Sequence, residues 1–151
     1  MDELVLPEPY NWVLWTTSWT AIGPILIFVN NGQYDLAIPP SIIFLTSVNY
    51  WRYPIRGWRR NMDISFIVLS VIFHTYKVYA TDIQTLYFLN LLCCLLSYQL
   101  SNYYLNLGDL ETSTFWHATL HFIAAGGCFL LVEDKVVFTD TELTSNNAVG
   151  I

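Results

Sequence analysis

His117 and His121 stand four residues apart inside the apolar stretch 114–132 of a chain of 151 residues. Imidazoles at positions i and i+4 stack on one helical face, so two ring nitrogens can converge on one ion or one water. An ionisable pair is expensive to place in so apolar a run, which makes a functional site the default expectation. Three more residues have types that can join it. Ser47 lies in an earlier apolar segment, Asp63 opens the next, and His74 follows Asp63 by eleven residues, about three helical turns on the same face. Asp63 can orient a water or a histidine, but a carboxylate in a first helical turn also meets the helix dipole favourably. His74 also reads as a bundle histidine bonded to a backbone carbonyl or hydroxyl.

The elements that must carry these residues are helices in a membrane. Hydrophobic residues make up 54% of the chain, aromatic residues 17% and charged residues only 12%, with mean hydropathy +0.42. That is too apolar for a soluble domain of this size. The sequence predicts an all-α polytopic bundle of about five transmembrane helices, over 12–29, 37–53, 62–80, 83–107 and 114–132. Residues 1–137 form a single bundle, and the polar, aperiodic stretch 138–151 reads as a flexible tail. Gly23 and Pro24 predict a local opening in the first helix, and Pro39 and Pro40 suit the first turn of the second. Asn61, Thr81 or Asp82, and Ser113 can cap the third, fourth and fifth.

All four arginines, Arg52, Arg56, Arg59 and Arg60, crowd one link. Placing it in the cytosol sets the N-terminus inside and the C-terminus outside, and offers a contact for anionic lipid. With five spans, the end of the second, the start of the third and the start of the fifth lie at one side of the membrane. At about 1.5 Å per residue, Asp63 then sits at the rim, Ser47 roughly 6 Å inside, His117 roughly 5 Å and His121 roughly 10 Å. All four can meet in one leaflet. The run Ala124 to Gly127 predicts close helix packing just beyond the histidines.

Several classes are disfavoured. No basic stripe suggests nucleic acid, and Cys93, Cys94 and Cys128 lie in apolar runs where thiols act as small hydrophobes. The acidic N-terminus lacks the basic region of a cleaved signal peptide. Residues four apart cannot take opposite axial positions of one haem; His74 with His121 could by geometry, but nothing else in the sequence supports it.

The phrase Trp116-His117-Ala118-Thr119-Leu120-His121-Phe122, followed by Ala124, Ala125 and Gly126, resembles the last helix of the CREST superfamily, which includes the alkaline ceramidases and adiponectin receptors. The resemblance implies a seven-helix membrane hydrolase that uses zinc to activate water against a lipid amide or ester. It implies His117 and His121 as metal ligands, Asp63 orienting or deprotonating the water, and Ser47 bonding the water or the oxyanion. Where the third ligand should stand, four residues after Ser47, this chain has Trp51. Catalytic zinc keeps three protein ligands, so His74 or Asp63 would have to complete the set. Two functions follow: a zinc-dependent lipid hydrolase with an incomplete metal site, or a non-catalytic structural or accessory membrane protein that retains the polar cluster.

Overall fold

A computed structural model describes the backbone of residues 4–79 and 81–148, with side chains as far as residue 132. Among these the chain is all-helical, and its one β-bridge, Leu4 to Ile55, ties the N-terminal segment to the arginine-bearing link. Helix α1 (Tyr10–Thr17), a 3-10 turn (Ser18–Ala21) and α2 (Ile22–Asn30) run on as one rod. Pro24 has no amide to offer the Thr20 carbonyl, and the turn before it tightens to 3-10 geometry instead of opening as expected at Gly23 and Pro24. The remaining helices are α3 (Tyr34–Trp51), α4 (Trp58–Val78), α5 (Gln84–Asn106) and α6 (Leu110–Ala148).

Glycines stop two of these rods in the same way. Gly32 and Gly108 take φ of 68° and 78°, a left-handed conformation that other residues pay to adopt. The following amides then fold back, Gln33 N–H onto the Phe28 carbonyl at 2.8 Å and Asp109 N–H onto the Tyr104 carbonyl at 3.0 Å. The starts differ from the sequence reading. Asn61 lies inside α4, its amide donating to the Gly57 carbonyl, so it is no cap and Asp63 falls in the second turn. Neither Thr81 nor Asp82 caps α5, which begins at Gln84 after Ile83. Asp109 rather than Ser113 caps α6, accepting from the Thr112 amide at 3.0 Å. That amide, with the Thr112 hydroxyl, holds the Asp109 carboxyl below its ordinary value of 3.8. Pro39 and Pro40 sit in the second turn of α3, because Gln33 already accepts the Leu36 and Ala37 amides. Backbone helix α6 continues to Ala148 through the segment read as a tail; no proline or glycine interrupts the chain between Gly127 and Gly150. Residues 149–151 lie outside the described ones.

Helix α6 is the centre of the packing: α1, α2 and α5 lie against it, α3 packs on α1 and α2, and α4 packs on α3. Consecutive helices α4 and α5 are not a closely packed pair. Two apolar clusters close the ends. Leu6, Leu14, Tyr50 and Trp51 form one, with Leu105 and Leu110 against it; Phe28, Leu36, Val78, Tyr87 and Leu131 form the other. An ion pair from Lys77 to Asp35, 2.7 Å, joins the end of α4 to the start of α3 at the second end.

Outside these clusters many large apolar side chains are exposed while several polar ones are buried. Leu45, Leu69, Ile72 and Leu96 are 65%, 58%, 60% and 55% exposed, while Asp63, His74, Ser97 and Ser101 are 6%, 5%, 3% and 4% exposed. Two segments, Tyr10–Asn30 and Leu110–Val132, are long and apolar enough to cross a membrane by length and composition. The helices between them are diluted by polar residues such as Arg59, Arg60, Lys77, Gln84 and Asn102.

Candidate functional site

Between the two apolar ends lies a cavity of about 190 Å³, and all five residues singled out from the sequence line it: Ser47, Asp63, His74, His117 and His121. They come to it as separate groups. Ser47 on α3 and Asp63 on α4 make one pair, the serine hydroxyl donating to Asp63 Oδ1 at 2.6 Å. The Thr46 hydroxyl reaches the same oxygen at 2.8 Å, so neighbouring residues of one helix clamp the carboxylate of the next. Two hydroxyl donors replace part of the hydration that burial removes from a carboxylate.

The second group is the histidine pair on α6. The rings meet edge to face with centroids 5.3 Å apart, as i, i+4 spacing dictates. Each Nδ1 faces a hydroxyl on another helix: Thr17 Oγ1 at 2.8 Å from His121, and Ser101 Oγ at 3.4 Å from His117. Around Ser101, the Ser113 hydroxyl donates to the Ser101 carbonyl at 2.9 Å and the two hydroxyl oxygens lie 3.3 Å apart. Around Thr17, the Leu14 carbonyl accepts from the Ser18 amide and from the Ser18 hydroxyl at 2.8 Å. Trp51 completes the surroundings, its indole edge-on against the His117 ring with centroids 4.9 Å apart.

His74 stands by itself at the other end. Its Nδ1 is 3.4 Å from Ser70 on its own helix, its ring lies beside Phe73, and its buried Nε2 has no hydrogen-bond partner. The Leu36 carbonyl, whose helical amide Pro40 cannot supply, is the backbone group that acts on this ring, without completing a bond to Nε2. Among the described residues, no three His, Cys, Asp or Glu side chains come together as a metal-holding group. The expected third ligand is therefore not supplied by His74, which packs at the opposite end of the cavity, nor by Asp63, which is turned to Thr46 and Ser47. At the place of the third ligand, an indole offers carbon and an N–H donor but no lone pair. The residues present do not fit catalytic zinc, which needs three such donors.

Several members of this network were not among the site residues read from the sequence: Thr17, Thr46, Ser101, Asn90, and Ser113, expected only as a helix cap. Asn90 lines the cavity from α5 and donates to the Ile123 carbonyl at 3.0 Å. Its side chain lies so close to Gly127 that a Cβ there would collide with it, which gives the small-residue run on α6 a specific partner. An asparagine in mid-helix was the available signal for this contact; for the hydroxyls there was none, since serine and threonine are common in membrane helices. Comparison with family models, curated proteins and solved structures finds no match for this chain.

Proposed function

We propose that the chain is a multi-pass integral membrane protein of CREST-like descent that works without catalytic zinc, as a non-catalytic accessory protein built around a buried polar cavity. The observation that carries this is Trp51: its indole packs on His117 where the resemblance calls for a metal ligand. Apolar side chains on the outside and carboxylate, imidazole and hydroxyl groups on the inside support five crossings, because lipid solvates the former and cannot satisfy the latter. The bridge from Leu4 to Ile55 supports a common side for the N-terminus and the arginine link. On this reading both are cytosolic, with Arg52 and Arg56 exposed to anionic headgroups.

The lipid-hydrolase alternative draws on one specific observation, that Ser47, Asp63, His117 and His121 line the same cavity. Zinc content of protein purified in detergent separates the two. Wild type should hold zinc well below stoichiometry, and Trp51→His, which restores a third imidazole, should raise it toward about one ion per chain. Stoichiometric zinc in wild type, lost in His117→Ala with His121→Ala, would overturn the proposal in favour of the hydrolase.

A further inference from the structure

The hydrogen bonds around the two histidines of α6 determine which ring nitrogen carries the proton, and the answer differs between them. The Leu14 carbonyl has two lone pairs, and the Ser18 amide and hydroxyl already use them. Thr17 also approaches that carbonyl, but as a third donor and at the longer distance of 3.2 Å. Its proton goes instead to His121 Nδ1, 2.8 Å away, which leaves the hydrogen of the neutral ring on Nε2. At the other ring, the Ser113 proton is committed to the Ser101 carbonyl. The contact between the two serine oxygens is then attractive only if Ser101 donates to Ser113. Ser101 must in turn accept from His117 Nδ1–H, which leaves a lone pair on His117 Nε2.

Neither Thr17 nor Ser101 lines the cavity, whereas both histidines do, and with each Nδ1 engaged by a hydroxyl the nitrogen left to reach the cavity is Nε2. One offers a donor and the other an acceptor. A chelated metal ion would need two lone pairs; a single hydroxyl group satisfies both nitrogens, accepting from His121 and donating to His117. Beyond this polar pair most of the wall is apolar, with Ile67, Leu91, Leu120 and Leu131, and the polar groups set into it include Asp63, already bonded to Thr46 and Ser47, and Asn90, bonded to the Ile123 carbonyl. The volume of about 190 Å³ exceeds the roughly 150 Å³ in which an apolar cavity holds benzene. We propose that this cavity binds a compact, neutral alcohol with an apolar body about the size of cyclohexanol, its hydroxyl held between His117 and His121. This rests on the zinc-free reading of the site.

The test uses full-length protein in lipid nanodiscs, with zinc content measured on the same samples. Binding of cyclohexanol, methylcyclohexane and cyclohexylamine, of similar size, is followed by thermal stability. Cyclohexanol should bind at least tenfold more tightly than either analogue, and histidine ¹⁵N spectra should show Nδ1–H at His117 and Nε2–H at His121. Thr17→Val, which keeps the shape and removes the donor, should reduce the preference for the alcohol toward parity, as should His121→Phe at unchanged helical content. Equal binding of methylcyclohexane, preferential binding of cyclohexylamine, or the same tautomer at both rings would overturn the proposal. Zinc-free samples that do not prefer the alcohol would defeat this inference alone; stoichiometric zinc would defeat the reading beneath it.

Discussion

The two ends of the cavity hold the same residue type in opposite circumstances. His117 and His121 each meet a hydroxyl from another helix, and an indole packs edge-on against His117, so α1 orients His121 while α3 and α5 orient His117. His74 has a serine of its own helix as its side-chain partner, lies near the Leu36 carbonyl, and keeps an unpartnered Nε2. Burial alone is therefore a poor guide to role. What separates the ends is whether the polar atoms are held by other helices, because only such bonds couple the position of a ring to the assembly of the bundle.

Three measurements bear on this contrast. The largest effect is expected from Trp51→Ala, which empties a buried aromatic from the cluster of Leu6, Leu14 and Tyr50 and uncovers His117. It should cost about 3–5 kcal/mol in unfolding by denaturing detergent; a loss below about 1 kcal/mol would mean that the indole does not brace the histidine end. Next come His121→Phe and His74→Phe, compared directly. The first breaks the bond to Thr17 and should cost about 0.5–1.5 kcal/mol, while the second removes an unsatisfied nitrogen and should be neutral or stabilising. Equal losses would abolish the distinction between the two ends. The smallest effect concerns how α6 is started. Asp109 is held below 3.8 in the folded protein, so its contribution is complete above its unfolded value and disappears as pH falls through the folded one. Melting temperatures of wild type and Asp109→Asn should differ slightly near neutrality and converge once pH has fallen through the folded value; a gap that persists below it would assign the cap to another group.

The helices were legible because their information is local. Apolar runs, Pro24, Gly32 and Gly108 act on their own turns, and every apolar segment from 12–29 to 114–132 corresponds to a helical rod, with starts displaced by at most four residues. The longest discrepancy, the continuation of α6 to Ala148, lies where polarity suggested a tail although nothing in the backbone chemistry stops a helix. Site residues were legible for a different reason. Ionisable groups in apolar surroundings carry a high desolvation cost, so Asp63, His74, His117 and His121 stood out wherever the chain placed them.

By itself, then, the sequence determined the helical rods, the i, i+4 geometry of His117 and His121, and the nearness of Ser47 to Asp63, since helical rise and the short link between consecutive helices suffice for these. Only the tertiary structure decided the partners: Thr17 for His121, Ser101 for His117, Thr46 and Ser47 for Asp63, and none for the Nε2 of His74. Those pairings depend on which faces of different helices meet, and hydroxyl groups carry no long-range signal of where they will donate. The chemistry of the pair depends on them, because a ring nitrogen is a donor or an acceptor only in relation to the group that holds its neighbour.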